Sequence, residues 1–375
     1  MTRADRFAPA SCPRLVVKIG SALLVDPDGS VRRDWLAGVV ADIAARHRSG
    51  QRVIVVSSGA IALGARRLGL PHGGRACLED AQAAAATGQI ALSQLWAELL
   101  AGEGLTAAQM LLTLDDLEDR RRYLNASATV ARLLALGVVP VVNENDTVAT
   151  EEIRFGDNDR LAARVAQAAE AGGVILLSDV DGLYTANPGS DPEAQLIDEV
   201  TTLDDSIMAM ADGGSASGMG SGGMRAKLQA ARIAHAAGAH LAIVGGRREH
   251  PLAAFDADGR GTIFPASGGS GARKAWLAGR LTAHGRILID AGATHALAGG
   301  ASLLAAGATA IEGGFSRGDV IDIVGPEGRA VARGLTEYDA SEAKLIAGRR
   351  SAELATILGY APRSALVHRD HMVLL

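Results

Sequence analysis

Residues 14–20 read "RLVVKIG", an apolar run that only Lys18 interrupts between Leu15 and Ile19. Apolar residues occupy successive positions here rather than every second one, which is typical of a strand covered on both faces within a parallel sheet. Similar runs recur along the chain and predict further strands of the same kind. They lie at 52–58, 138–145, 173–179 and 240–246, with a weaker one at 106–112.

Ala-rich segments with a helical period separate these strands. Strands that alternate with helices favour an α/β protein, and we predict a three-layer αβα sandwich with a mostly parallel sheet. The helical segments are 34–48, 76–101, 122–136, 158–171 and 224–237.

The composition limits the class of protein. The chain has 375 residues, enough for about two domains, with 48% hydrophobic and 21% charged residues, as is usual for a soluble globular protein. Its two cysteines, Cys12 and Cys77, argue against a disulfide framework or a thiolate zinc site and favour a reducing compartment. The N-terminus lacks an apolar run of signal-peptide length, and no later stretch approaches 18 uninterrupted apolar residues, so we expect a cytoplasmic protein. The net charge of −5 argues against nonspecific binding to nucleic acid or to an anionic membrane.

The α/β pattern ends after Gly246, and short β-like runs return from about Ala283. The turn "GPEG" at 325–328 lies between two such runs and predicts a hairpin. We therefore predict a first domain at 1–258, a connector at 259–283 with at most one short strand, and a small, mainly β domain at 284–370.

Polar and glycine-rich residues follow four of the predicted strands. In open α/β sheets, ligands bind outside the carboxyl ends of the strands, so these four ends indicate one site at one edge of the sheet. They read "KIGS" (18–21), "SSGA" (57–60), "NEND" (143–146) and "LSDVDG" (177–182).

Within these ends, Ser58 supplies a hydroxyl beside consecutive amides, which can cradle a carboxylate. The cluster at 143–146 and a second one, "GDND" at 156–159, can bind an ammonium group, orient lysines or hold a metal. Asp157 or Asn158 can instead cap the helix that follows, which is the commoner use of such residues.

Lys18 lies inside an apolar strand, where a lysine is costly unless its ammonium group meets an anion. It is then a candidate for binding an anion. The alternative is a lysine on an edge strand that points to water.

Residues 218–227 read "GMGSGGMRAK" and contain the letters of a G-x-G-x-x-G motif. No buried strand precedes them, and a Walker P-loop needs its lysine directly after the glycine, so neither motif is present. What remains is a glycine loop that leads into a helix, where amides and Lys227 can contact a phosphate. The alternative is a flexible connector with a solvated lysine.

Several longer motifs occur in a familiar order, and the chain resembles the glutamate 5-kinases of the amino acid kinase family. The C-terminal motifs "DAGATHALAGGASLLAAGATAIEGGFSRGDVIDI" (290–323) and "YDASEAKLIAG" (338–348) resemble a PUA domain. The N-terminal motifs are "VVKIGSALL" (16–24), "VSSGAIALG" (56–64), "VPVVNENDTVATEEIRFGDNDRLAA" (139–163), "LLSDVDGLYTANP" (176–188) and "GMGSGGMRAKLQAA" (218–231).

The resemblance implies ATP-dependent phosphorylation of the γ-carboxylate of L-glutamate, with Mg²⁺, as the first step of proline biosynthesis. Lys18 and Lys227 would flank the transferred phosphoryl group, and Asp159 would orient both. The resemblance assigns glutamate binding to Ser58, Asp146 and Asn158, and ATP binding to Lys18, Ser178, Asp179, Ser221, Gly222, Gly223, Met224, Arg225, Ala226 and Lys227; it assigns no protein ligand to the metal. It also implies feedback inhibition by proline, a homo-oligomer, and transfer of glutamyl 5-phosphate to glutamyl phosphate reductase.

Elementary chemistry agrees with this interpretation. A carboxylate has a pKa of roughly 4 and is already ionised at neutral pH. No general base is needed, which fits a sequence with no evident G-x-S-x-G elbow, H-E-x-x-H helix or Cys–His pair.

Two other functions are compatible with parts of the pattern. The same fold could phosphorylate aspartate, acetylglutamate or carbamate. PUA domains also occur in proteins that bind RNA. From His284 onward, however, the chain has nine Lys and Arg residues and ten Asp and Glu residues, so its charges nearly balance, and aromatic residues are few. This composition makes an RNA-binding surface the less favoured prediction.

Overall fold

The computed structural model describes residues 3–26, 30–148, 158–211, 223–267 and 283–375. The chain forms two compact units. Unit 1 comprises Met1–Asp119 and Asn125–Ser267, and unit 2 comprises Arg120–Leu124 and Gly268–Leu375.

Unit 1 is built on a seven-stranded sheet with the order β3-β4-β2-β1-β5-β6-β7. All neighbouring strands are parallel except β6 and β7, which are antiparallel. The six strands predicted from the sequence are confirmed. The strands are β1 (Arg14–Ile19), β2 (Arg52–Ser57), β3 (Ala107–Leu112), β4 (Val139–Glu144), β5 (Gly173–Ser178), β6 (His240–Gly245) and β7 (Thr262–Phe264).

Helices pack on both faces of this sheet, which confirms the predicted three layers. The five helical segments named from the sequence are all present, with ends that differ by a few residues. The helices are α1 (Ser21–Leu24), α2 (Arg33–Arg48), α3 (Ala60–Leu68), α4 (Leu78–Gly102), α5 (Leu114–Glu118), α6 (Arg120–Ala135), α7 (Asn158–Ala169), α8 (Asp205–Met210), α9 (Met224–Ala236) and α10 (Pro251–Asp258).

The two faces of β1 have different surroundings. Leu15, Val17 and Ile19 are fully buried in a core that they share with residues of α2, α4 and α10. Side chains alternate along a strand, so Lys18 projects to the opposite face, on which α7 packs. The alternation of side chains along β1 therefore places Lys18 on the face that α7 covers.

Helices α3 and α4 cross with their backbones in contact. A Cβ atom on Gly64 would lie 1.7 Å from the carbonyl oxygen of Ala84, and one on Gly88 would lie 1.8 Å from that of Ala60. Only glycine fits at either position, because the clash would be with backbone rather than with a movable side chain. Helix α3, which was not among the helices named from the sequence, owes its position to this contact.

The region after Gly246 contains more regular structure than its sequence indicates. Residues 251–258 form α10, and β7 pairs with β6 inside the predicted connector. Thr262 anchors β7, because its Oγ1 accepts a hydrogen bond from the backbone N–H of Leu183 at 2.7 Å and donates one to the carbonyl of Ile197 at 2.6 Å. Residues 268–282 of the predicted connector lie outside the described ranges, and the predicted domain boundaries stay predictions.

Unit 2 contains a separate five-stranded sheet with the order β12-β11-β10-β8-β9, a mainly β arrangement as predicted. The predicted hairpin is confirmed, since β10 and β11 are antiparallel and the turn between them closes with a hydrogen bond from the Gly325 N–H to the Arg329 carbonyl. The elements are β8 (Gly285–Ile289), α11 (Ala291–Ala298), β9 (Ala308–Gly313), β10 (Val320–Val324), β11 (Ala330–Thr336), α12 (Ala340–Ile346), α13 (Ser351–Leu358) and β12 (Val367–Leu374).

Across the described ranges, no helix combines the length and the apolar character that crossing a membrane requires.

Candidate active site

Asp159 lies between two lysines at the carboxyl end of the sheet. Its Oδ1 is 2.5 Å from Nζ of Lys18, and its Oδ2 accepts a hydrogen bond from Nζ of Lys227 at 2.9 Å. The three residues come from β1, from the first turn of α7 and from the first turns of α9. They are 141 and 68 positions apart in the sequence (159 − 18 and 227 − 159), and the fold brings them together.

All three side chains are buried. Lys18 is 8% exposed, Lys227 is 9% exposed and Asp159 is 2% exposed. The two solvated alternatives, an edge-strand lysine at 18 and a free lysine at 227, are therefore wrong, because β1 is the central strand and α9 packs on α7. Their catalytic roles remain predictions.

The charges in this cluster do not cancel. Burial alone would raise the pKa of Asp159, but the ammonium groups of Lys18 and Lys227 outweigh it and hold the pKa below its usual value. One ionised carboxylate thus faces two ammonium groups, which leaves one positive charge in a buried place. Such a charge favours binding of an anion.

Ser58, Asp146 and Asn158, the three residues predicted to bind glutamate, line one cavity beside this cluster. Asn158 donates hydrogen bonds from Nδ2 to Oγ of Ser58 at 2.8 Å and to Oδ1 of Asn143 at 3.1 Å. Its Oδ1 is buried and has no hydrogen-bond partner among the described residues. This oxygen can accept a hydrogen bond from a ligand in the cavity.

The N-terminus of α3 forms another wall of the cavity, with Gly59, Ala60 and Ile61 among the lining residues. Gly59 has φ 112°, a backbone conformation that favours glycine, and a Cβ atom there would lie 2.7 Å from Cδ2 of Leu24. The cavity thus lies at the N-terminus of α3, and helix N-termini favour anions such as a carboxylate.

Asp146 begins a short 3₁₀ turn, Asp146–Val148, two residues after the end of β4. Burial raises the pKa of Asp146 to about 6. A carboxylate that is partly desolvated in this way gains from a cationic partner. The described lining residues of the cavity contribute one such cation, Arg75.

The predicted nucleotide-binding residues lie at the ends of β5 and α9. Ser178 is 4% exposed and donates from Oγ to Oδ1 of Asp179 at 3.2 Å, and Gly223 caps α9, whose first turn contains Met224, Arg225 and Ala226. Ser221 and Gly222, with the rest of the glycine loop before Gly223, lie outside the described residues.

Besides residues 59–62 at the start of α3, the structure adds three polar residues to the cavity that were not predicted as site residues: Ser21, Arg75 and Asn143. Asn143 belongs to the quoted cluster 143–146, so its position at a strand end was a usable signal. Ser21 likewise belongs to the quoted strand end 18–21, two residues after β1. Arg75 follows a loop with no periodic pattern, and nothing in the sequence placed it near Ser58.

The resemblance implies Mg²⁺, and the described carboxylates do not offer a protein cage for it. In the described ranges, no group of three or more His, Cys, Asp or Glu side chains could hold a metal ion. Both oxygens of Asp159 already contact lysines. This arrangement is compatible with a Mg²⁺ ion that would be coordinated mainly by phosphate oxygens of a bound nucleotide, as is common in enzymes that use ATP.

Known proteins share both parts of this chain. Residues 13–245 match the amino acid kinase family, and residues 285–358 match the PUA domain. The glutamate 5-kinase of Sphingopyxis alaskensis is 71% identical over 369 residues, which cover 98% of this chain and 99% of that protein. The glutamate 5-kinase of Zymomonas mobilis is 64% identical, covering 98% and 93%, and glutamate 5-kinase 1 of Rhizobium meliloti is 54% identical, covering 100% and 95%.

Proposed function

Because the chain belongs to the amino acid kinase family, and within it to the glutamate 5-kinases, we propose that the cavity around Ser58 binds glutamate beside the Lys18–Asp159–Lys227 cluster. The reaction is the ATP-dependent phosphorylation of the 5-carboxylate of L-glutamate, which opens proline biosynthesis. The observation that carries the assignment of the site is the carboxylate of Asp159 between two buried lysines.

The chemical difficulty lies in bringing two anions together. The 5-carboxylate of glutamate is ionised at neutral pH, so no residue has to remove a proton from it. It must approach a polyphosphate, and the charge that develops on the transferred group needs cations already in position. Lys18 and Lys227 supply two, and Asp159 holds both ammonium groups in fixed places.

Glutamate is held by the cavity walls in this proposal. Ser58 and Asn158 contact the substrate, and the carboxylate of Asp146 binds its α-ammonium group. The buried, unpartnered Oδ1 of Asn158 and the raised pKa of Asp146 support these roles. Positioning of this kind contributes to the rate because the reacting oxygen is already close to the phosphoryl group.

ATP binds, in this proposal, through Lys18, Ser178, Asp179 and the loop and helix start at 221–227. Gly223 at the N-terminus of α9 supports this, since helix N-termini favour phosphate. Mg²⁺ bound to the phosphates would neutralise part of their charge. The residues of the chain position the two substrates and shield them from water.

Further properties are proposed on the same premise. Proline, which shares an amino and a carboxyl group with glutamate, would inhibit by competing for the cavity. The chain would act as a homo-oligomer in the cytoplasm and pass its unstable acyl phosphate to glutamyl phosphate reductase. Kinetics with increasing proline test the first point, because competition raises the apparent KM for glutamate and leaves kcat unchanged.

The direct test is ADP release by the purified chain with and without L-glutamate. We expect ADP only when glutamate is present, and a hydroxamate when hydroxylamine traps the acyl phosphate. A panel of aspartate, acetylglutamate and carbamate measures the preference for glutamate. A rate of ADP release that is the same with and without glutamate, or that is higher with another acid, would refute the proposed function.

A further inference from the structure

Arg75 is a charged residue of the glutamate cavity for which the reaction itself provides no role. It lines the same cavity as Ser58, Asp146 and Asn158, and its Nε atom is shielded from solvent. Among the described lining residues, Arg75 carries the positive charge and Asp146 the negative charge. The cavity therefore presents two opposite charges to whatever it binds.

The backbone before Arg75 adopts an uncommon conformation. His72, Gly73 and Gly74 have φ values of 51°, 64° and 73°, and this left-handed conformation costs free energy at the non-glycine His72. This loop directs the chain back toward the cavity directly before Arg75.

Packing holds the loop in place. Gly74 is buried, and a Cβ atom there would lie 2.9 Å from Cβ of Ala65 on α3 and 3.1 Å from Cβ of Ala84 on α4. Only glycine allows the loop to rest this closely on both helices. Arg75 is therefore anchored to the same helix pair that carries the Ser58–Gly59 wall of the cavity.

The head of an α-amino acid carries two adjacent opposite charges, an ammonium and a carboxylate. Asp146 suits the ammonium, and a guanidinium fork suits a carboxylate, which it can bind through two parallel hydrogen bonds. The 5-carboxylate is directed to Lys18 and Lys227 in the proposed function. The carboxylate left for Arg75 is the one on the α-carbon.

We propose that Arg75 binds the α-carboxylate of glutamate and makes the cavity selective for α-amino acids. The inference rests on the proposed function of the same site. It assigns Arg75 to substrate selection rather than to phosphoryl transfer. Its loss is then expected to raise KM for glutamate without lowering kcat.

The test compares L-glutamate with 4-aminobutyrate, which is glutamate without its α-carboxylate. In Arg75→Gln we expect the KM for glutamate to rise about 10- to 100-fold, from the loss of charge-assisted hydrogen bonds, with kcat retained. The inhibition constant of 4-aminobutyrate against glutamate should change by less than about threefold, since this ligand has no group for Arg75 to bind. Arg75→Lys, which keeps the charge without the fork, should recover part of the affinity for glutamate.

Arg67→Gln is the matched control, because Arg67 is exposed on α3 and its loss changes the net charge equally. It should leave all of these constants unchanged. Circular dichroism shows whether each variant is folded, and Arg75→Lys serves as the test if Arg75→Gln is not. An unchanged KM for glutamate, or equal weakening of both ligands, would overturn the role of Arg75. Absence of glutamate-dependent ADP release in the wild type would instead refute the proposed function.

Discussion

At the scale of single residues, the site depends on one carboxylate that serves two lysines. Asp159 is the shared partner of Lys18 and Lys227, so the three side chains form one electrostatic unit. Residues that act as a unit give non-additive effects when they are replaced. Loss of either lysine is thus expected to remove most of what the pair contributes.

Lys18→Ala and Lys227→Ala should each lower kcat by at least about 100-fold, because each removes a cation from the charge that develops on the phosphoryl group. The double variant should be little worse than either single one. Steady-state kinetics measure this, with Lys344→Ala as control, since Lys344 is exposed on α12. Turnover near the wild-type value in either single variant would contradict the role of that lysine.

The pKa of Asp146 predicts how the KM for glutamate depends on pH. Its raised pKa of about 6 means that the carboxylate becomes protonated as the pH falls through 6 and can then no longer attract the ammonium group of glutamate. The KM for glutamate should be constant above this value and rise toward about tenfold for each pH unit below it.

The Asp146→Asn variant should show a high KM with little dependence on pH between 5 and 8. Asp115→Asn, at an exposed position in α5, should keep the wild-type profile. If Asp146→Asn retains the wild-type rise in KM at low pH, another group is responsible for it.

The sequence predicted some residues of the site and not others. Lys18 was predictable, because burying an unpaired lysine in an apolar strand costs free energy. This argument predicted an anionic partner, and Asp159 is that partner. Arg75 carries no such signal, since an arginine in a loop is ordinary. Its position depends on left-handed turns and on packing against α3 and α4, which local sequence patterns do not encode.

At the scale of elements, most strands of the first sheet were predictable, whereas several short helices, α3 among them, were not. Strands covered on both faces are apolar at nearly every position, so β1, β2, β4, β5 and β6 were evident from runs of consecutive apolar residues. Helix α3 is short, and glycine residues precede it, interrupt it and follow it. It is held by its crossing with α4, a tertiary contact between segments that no local period reveals.

The crossing yields a stability prediction. Gly64→Ala should lower the free energy of unfolding by at least about 1–3 kcal/mol, because the added Cβ meets the carbonyl oxygen of Ala84 at 1.7 Å. It should also raise the KM for glutamate, since α3 begins at the wall of the cavity. Urea unfolding and kinetics measure the two effects.

Gly102→Ala is the control for this experiment. Gly102 ends α4, and no atom lies within 4 Å of the Cβ that alanine would add. Alanine favours a helix by up to about 1 kcal/mol over glycine, so this variant should be neutral or slightly more stable. If Gly64→Ala is as stable as Gly102→Ala, close packing of α3 on α4 is not important.

At the scale of the whole molecule, the described candidate residues all belong to unit 1. Each unit has its own sheet and its own buried core, as domains that fold independently do. The sequence predicted two such regions, because the α/β pattern stops and an alternating β pattern begins.

A chain that ends at Ser267 should therefore keep glutamate-dependent ADP release, with kcat within about an order of magnitude of the full chain. The measurement pairs kinetics with circular dichroism on both chains. A truncated chain that is folded but inactive would show that unit 2 is needed for catalysis.

The strand order also has a consequence for how the chain is made. β1 leaves the ribosome early and can pair with β2, but its other neighbour, β5, begins only at Gly173. Until then one edge of β1 stays open, and an open apolar edge invites pairing with other chains. The Lys18–Asp159–Lys227 cluster is completed later still, because Lys227 follows β5 in the chain. The residues of the reaction centre therefore come together only late in synthesis. Before that stage, protection of the nascent chain from aggregation matters more than activity.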